Sequence, residues 1–462
     1  MKRKNDESTM VNDIVSEVQT EELRRKEDRG DLSTLLSRAS PFGNETGALA
    51  NGEFEPIVNF NNPSPLANKR VLVVGAGGLG CEILKDLAMS HVPNVEVIDL
   101  DSIDVTNLNR QFLFRQHDVG SSKADVAAKF INNRCSWMNV KAHHGKIQDK
   151  DVSFYQSFDC IISGLDNIEA RRWLNATVCG LVEVDDDGDI SDFSTIIPII
   201  DGGTEGFSGQ ARVILPRITS CFECTLDLFP PQKSFPLCTV AQTPRLPEHC
   251  IAYAFTLQWP KEFDRKLDTD SPEDMRWVFD KALERSKKYN ISGVTYMLTM
   301  GVVKNIIPAV ASTNAIVSAA CVNETIKILT YCSQSLNTYM MYNGSSGVYS
   351  HTYTPEKKDD CPVCSSVVRK MTVSAKMSLN ELIQQLREGD LRLKAPSITS
   401  ATGTLYMQKP PFLEKQTRPN LDKALNELIE DGEELTVTDP TFSHTSIGVT
   451  MTFKDDNIIM NE

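Results

Sequence analysis

No apolar run in the 462-residue chain approaches the roughly 18 residues of a membrane-spanning helix, so no membrane span is expected. The first residues lack the apolar core of a signal peptide, so secretion is not expected. Positive charge is in deficit: 48 Lys and Arg face 62 Asp and Glu, a formal net charge of −14. That balance argues against general nucleic-acid binding and favours solubility. Internal repeats are absent, and one nucleotide-binding unit is visible rather than two. Cysteine is not scarce. Without a secretory context, the twelve cysteines read as reduced thiols, metal ligands or nucleophiles rather than a disulfide framework. A cytoplasmic or nuclear location is the expectation.

The length implies two to four domains. Residues 1–55 are polar and charged, too poor in apolar surface to fold alone, apart from Leu32 to Leu36, which could dock as a short helix. From Lys69 the pattern becomes regular. RVLVVGAG reads as a buried parallel strand and CEILKDLAMS as a helix. VEVIDL is a strand, KADVAAKFINN a helix, FDCIISGL a strand and IEARRWLNATV a helix. Strands alternating with helices indicate a doubly wound α/β sheet. Residues 230–300 break the pattern with a Pro-rich stretch and an amphipathic helix at 272–290, as an insertion would. Residues 300–330 are a long apolar helical stretch interrupted at Pro308. After Cys364 the mixture changes again. MSLNELIQQLRE and LDKALNELIEDG read as helices, and TLYMQ, ELTVTD and SIGVTMTF as strands, which makes a small α+β domain.

The glycine motif GxGxxG at Gly75, Gly77 and Gly80, with Gly78 inside it, follows a strand and opens a helix. Glycine permits the tight turn and the close approach of phosphate, and the helix N-terminus offers free N–H groups. Asp99, at the end of the next strand, lies where a carboxylate takes ribose hydroxyls. A glycine turn without a ligand is the plain alternative. The motif by itself suggests NAD or FAD. The segment after Asp99 points elsewhere, because Arg110, Arg115 and Lys123 follow closely with Asn107 and Gln111. A triphosphate needs such cations more than a dinucleotide does. Each could also be a solvated charge, Arg115 most readily. Asp166 sits at a strand's C-terminal edge, where it could hold Mg²⁺ or equally cap the helix that follows.

Two CxxC pairs, Cys221/Cys224 and Cys361/Cys364, suit one tetrahedral structural zinc. Their wide separation leaves two independent redox or free-thiol pairs as an alternative. Seven other cysteines (Cys81, Cys135, Cys160, Cys179, Cys250, Cys321 and Cys332) read as buried structural thiols. Cys238 lies in a Pro-rich loop near Arg245 and His249, where a cation favours the nucleophilic thiolate. Spacing alone prefers it only slightly to Cys250. Arg212, on the strand ARVILP, could face a substrate tail or be a solvated strand charge.

GAGGLG, IDLDSIDVTNLNRQFLF, DVGSSKA and GLDN together resemble the adenylating family of ubiquitin activators and their bacterial sulfur-carrier relatives. LDNIEARRWLN, IDGGTEGFSGQARVILP, PRLPEHC and LQWPKE are similar to the catalytic subunits of its heterodimeric neddylation branch. The resemblance implies an α/β, Rossmann-like adenylation domain at 56–230 and 301–370, with structural zinc. It implies a helical catalytic-cysteine insertion at 231–300 and a C-terminal α+β ubiquitin-like domain at 371–462 that recruits a conjugating enzyme. It further implies that Gly75, Gly77, Gly78, Gly80 and Asp99 or Asp101 hold ATP. Asn107, Arg110, Gln111 and Lys123 would contact its sugar or phosphates, Asp166 would serve Mg²⁺, and Cys238 would accept the modifier as a thioester. An inactive adenylation-half subunit would be the partner. An activator of another modifier, such as the sumoylation type, is the nearest alternative. A NAD-dependent oxidoreductase or a silent scaffold are alternatives of other classes.

Overall fold

The computed structural model describes residues 66–185, 188–229, 244–269, 271–303, 309–330, 339–365, 368–401, 403–442 and 446–454. Cys238, Cys332, Pro308 and the extension 1–55, with its Leu32–Leu36 segment, lie outside the described residues. The chain divides into two compact units, one of residues 1–227 with 310–462 and one of residues 228–309.

The larger unit is built on an eight-stranded sheet. Its strands are β1 (Arg70–Val74), β2 (Asn94–Asp99), β3 (Asn139–His144), β4 (Cys160–Ser163), β7 (Ile199–Glu205), β8 (Ser208–Ile214), β9 (Tyr339–Asn343) and β10 (Tyr349–Tyr353). Two short strands, β5 (Glu183–Val184) and β6 (Ile190–Asp192), form a separate ribbon. The order across the main sheet is β10-β9-β8-β7-β4-β1-β2-β3. β3, β2, β1, β4 and β7 run parallel, and the remaining pairings are antiparallel.

Why these residues form the sheet's centre is plain from their chemistry. Three of the five residues of β1 are valine, and Val71, Leu72, Val73 and Val74 are fully buried, as a strand covered on both faces requires. Burying such a side chain contributes roughly 1.5–3 kcal/mol. The helix Gly78–Met89 packs on the long helix Ala311–Thr330, which also lies against β7 and β8. The strand order reverses between β1 and β4, so a crevice opens at the C-terminal ends of these two strands, where α/β sheets bind ligands.

The same unit carries a five-stranded sheet of β11 (Arg369–Ser374), β12 (Ser397–Ser400), β13 (Gly403–Tyr406), β14 (Glu434–Thr438) and β15 (Ile447–Lys454), in the order β11-β15-β14-β12-β13. The helix Leu379–Glu388 starts with a capping box from Ser378 and Glu381 and buries Leu379, Leu382, Ile383 and Leu386. The segment LDKALNELIEDG is not the helix that its periodicity suggests. Only Leu425–Glu427 forms a 3₁₀ turn. The segment runs across the start of the helix Leu379–Glu388 instead, where Leu425 N–H donates to Met377 O and Asn380 N–H donates to Leu421 O. Those long-range bonds replace the i→i−4 ladder, while Leu425 and Ile429 still reach the core.

The smaller unit is helical. Pro247–Tyr253, a π-turn at Ala254–Gln258, Trp259–Glu262, Pro272–Lys288 and Tyr296–Val303 gather around Cys250, Ile251, Trp259, Val278 and Ala282. Asp274, near the start of the long helix, accepts two bonds from Arg265, whose guanidinium lies 5.0 Å from the centre of the Trp259 ring.

Candidate adenylation site and thiol cluster

The turn after β1 is glycine-dependent at two positions. Gly75 has φ +99°, a left-handed conformation that glycine adopts without penalty. A Cβ on Gly80 would lie 1.9 Å from Gly75 O, so no side chain fits there. The neighbouring loops meet at this turn. Gly75 N–H donates to Ile98 O at the end of β2, and Gly164 N–H donates to Val74 O after β4.

Asp99 braces the turn. Its Oδ2 accepts from Ala76 N–H at 2.6 Å and its Oδ1 from Asp101 N–H at 2.7 Å. Burial pushes its carboxyl above the ordinary range, against the pull of the Ala76 N–H and Lys123. Lys123 is not a solvated charge. It opens the helix Lys123–Arg134, which Ser122 caps, and its side chain is 9% exposed. Its Nζ donates to Asp101 Oδ2 at 2.8 Å, so the cation is held at the crevice by a carboxylate that is itself largely exposed.

Gln111 is buried, with its Oε1 lacking a partner. It approaches the turn, since its Nε2 lies 4.0 Å from the position of a Cβ on Gly77. The Arg110 stem passes 3.7 Å from the corresponding position on Gly78, while its Nη1 donates to Thr106 O and Asn109 Oδ1. Asn107 closes a capping box with Asp104, using its side-chain oxygen. Arg115 is exposed and turned back on its own loop, donating to Phe112 O and Phe114 O.

Asp166 does not cap the helix Ile168–Cys179. Asn167 does, accepting from Ala170 N–H at 2.7 Å, which leaves the Asp166 carboxylate exposed beyond β4. The loop that carries Asp166 is clamped by Arg171. Its Nε donates to Leu165 O at 3.0 Å, its Nη1 to both oxygens of Asp201 at 3.1 Å, and its Nη2 to Gly202 O at 2.7 Å. Arg212 is neither solvated nor facing an open crevice. At 2% exposed it pairs with Asp201 and donates to Thr225 Oγ1, between the rings of Phe222 and Tyr339, with Nη2 unpartnered.

The two CxxC pairs form one cluster, not two. Cys221, Cys224, Cys361 and Cys364 are buried, with all four Sγ atoms within 4.8 Å of one another. Neighbouring sulfurs lie 3.8, 3.6 and 3.5 Å apart. Four ligands about 2.3 Å from a tetrahedral ion stand roughly 3.8 Å apart, so the donor set fits Zn²⁺ with every position filled by protein.

All ten described cysteines are buried. Cys250, the rival to Cys238, sits fully inside the helical unit, where burial pushes its thiol up and disfavours the thiolate. Two features escaped the sequence reading. The adjacent pair Arg171 and Arg172 looks like helix-surface charge but is buried, and Asn314 lies in a stretch that reads as apolar core.

A nucleotide crevice at the switch point of a ThiF-type sheet defines the class. The ThiF family model matches residues 56–363 and an E2 binding domain model matches residues 372–451. The chain belongs to the ThiF family. Within it, the relatives are NEDD8-activating enzyme E1 catalytic subunits. The Dictyostelium discoideum protein is 51% identical over 421 residues, covering 89% of this chain and 93% of that protein. The Drosophila melanogaster protein is 47% identical over 421 residues, with 89% and 92% covered. The Arabidopsis thaliana protein is 51% identical over 362 residues, with 78% and 79% covered.

Proposed function

We propose that the chain is the catalytic subunit of a NEDD8-activating enzyme, which adenylates the modifier's C-terminus and then holds it as a thioester on Cys238. The observation that carries this reading is the junction of three loops at one crevice: the Gly75–Gly80 turn, the Lys123–Asp101 pair and the exposed Asp166. The near end-to-end likeness to NEDD8-activating catalytic subunits supports the choice of modifier.

In the first step a terminal carboxylate oxygen of the modifier attacks the α-phosphorus of ATP. An O–P bond forms, the bond from the α-phosphorus to the oxygen bridging it to the β-phosphorus breaks, and pyrophosphate leaves with that electron pair. The turn and helix N-terminus bind the phosphates, and Lys123 and Arg110 stabilise the negative charge that builds on the phosphoryl oxygens. Mg²⁺, which Asp166 would hold, supplies further charge neutralisation there. In the second step the Cys238 thiolate attacks the acyl carbon, a C–S bond forms, and AMP leaves. Transfer to a cysteine of a conjugating enzyme follows, with the E2 binding domain at 372–451 as its docking module. A second, inactive adenylation half completes the enzyme, in keeping with the relatives' description as subunits. The zinc is structural, joining the segment after β8 to the segment after β10.

ATP–pyrophosphate exchange tests the reading. The chain co-expressed with its partner half is mixed with NEDD8, ubiquitin or a sumoylation-type modifier. Exchange with NEDD8 is expected; exchange with another modifier alone, or with none, overturns the reading.

A further inference from the structure

Asn314 reaches the glycine turn from a distant part of the chain. It lies in the first turn of the helix Ala311–Thr330 and is 1% exposed. Its Oδ1 accepts from Thr204 Oγ1, near the end of β7, at 2.7 Å. Its Nδ2 has no partner among the described residues. That nitrogen stands 2.4 Å from where a Cβ on Gly78 would be, so it faces the first turn of the helix Gly78–Met89.

That helix starts at Gly77 without a side-chain cap. The first N–H groups of any α-helix lack intrahelical partners and carry the positive end of its dipole. An unpaired buried amide nitrogen is costly. Here it is placed beside further unpaired donors, an arrangement that an anionic oxygen satisfies and a cation or apolar group does not. Glycine at 78 is what leaves room for it.

We propose that Asn314 is a substrate-binding residue of the adenylation step, its Nδ2 donating to an oxyanion at the reacting junction. The oxyanion is a phosphoryl oxygen of ATP or the modifier's terminal carboxylate, which meet in that step. This inference rests on the adenylation reading above.

The test uses the full chain with its partner half, comparing wild type with Asn314→Ala, Asn314→Asp and Thr204→Val. Three quantities are measured: the Kd for Mg-ATP without modifier, the KM and kcat of NEDD8-dependent ATP–pyrophosphate exchange, and the thermal midpoint. Asn314→Ala should lower kcat/KM by about 10- to 100-fold, the effect of one hydrogen bond to a charged group. Asn314→Asp keeps the acceptor for Thr204 but turns an anionic oxygen to the site, and should lose more. Thr204→Val keeps the donor and should stay within about threefold of wild type. Weakened ATP binding assigns the oxyanion to ATP; unchanged ATP binding with a raised KM for NEDD8 assigns it to the modifier. The inference is overturned if both Asn314 variants stay within about threefold of wild type in binding and exchange. It is equally overturned if Thr204→Val loses as much as Asn314→Ala, since Asn314 would then only hold β7. A wild-type complex that gives no exchange with any modifier refutes the adenylation reading itself, a distinct outcome.

Discussion

Replacing Arg172 with methionine should destabilise the larger unit far more than a helix-surface substitution would. Arg172 and Glu223 are 5% and 3% exposed and form a two-pronged ion pair, with Nε donating to Oε2 at 2.9 Å. The same guanidinium donates to Leu391 O at 2.7 Å and Arg392 O at 2.9 Å, two carbonyls of the C-terminal domain. Its plane lies over the Phe442 ring at 5.1 Å. Removing it strands a buried carboxylate, a loss of about 3–5 kcal/mol. The two carbonyl bonds add about 1–3 kcal/mol. Replacing both partners, as Arg172→Met with Glu223→Leu, removes the stranded charge and should recover about half of the loss. The assay is urea unfolding of the zinc-loaded chain, read by intrinsic fluorescence. With a slope of about 3 kcal/mol per molar urea, the summed loss of about 4–8 kcal/mol should lower the midpoint of the single variant by about 1.3–2.7 M. Hydrogen exchange at residues 391–393 should rise in parallel. The reasoning fails if the single variant matches an exposed-residue control, or if the double variant is no better than the single.

Gly80→Ala places a methyl group 1.9 Å from a backbone oxygen, so the turn must open. Mg-ATP affinity should fall at least about 100-fold (about 2.7 kcal/mol or more) in equilibrium dialysis, while the helical unit, which has its own core, keeps its fold. Native mass spectrometry should find one zinc per chain; Cys224→Ser should abolish it and lower the thermal midpoint of the larger unit by several degrees. Zinc content unchanged in that variant would contradict the four-thiol site. Cys250→Ala should leave NEDD8 thioester formation intact, because that thiol is buried in the helical core and unfit as a nucleophile.

The parts of the fold legible in the sequence were those written in local periodicity. RVLVVGAG marked the strand and its glycine turn, and CEILKDLAMS the helix that follows, because each element is specified within a few residues. The CxxC pairs announced thiolate donors, but their meeting depends on two distant chain segments and only the folded chain brings them together. The helix expected at LDKALNELIEDG failed for a related reason: its apolar spacing suits a helix, yet its backbone bonds go to residues 375–380. Side chains whose role depends on tertiary neighbours were the least legible. Arg171 and Arg172 stood in the sequence only as part of a helix, and their burial depends on Asp201, Glu223 and the carbonyls of 391–392, which close around them. Arg212 was misjudged for the same reason. Asn314 is one polar residue in an apolar run, a pattern with no local signature of ligand contact. Asp166 shows the reverse case, where the alternative of helix cap fell because Asn167 fills that role.

The most direct test of the central claim is a non-reducing gel. The chain, co-expressed with its partner half, is mixed with Mg-ATP and NEDD8 and compared with Cys238→Ala and Cys250→Ala. An ATP-dependent adduct that thiol reagents cleave, present in wild type and Cys250→Ala and lost in Cys238→Ala, is the expected result. An adduct that survives Cys238→Ala, or none at all from a folded complex that still exchanges pyrophosphate, would contradict it.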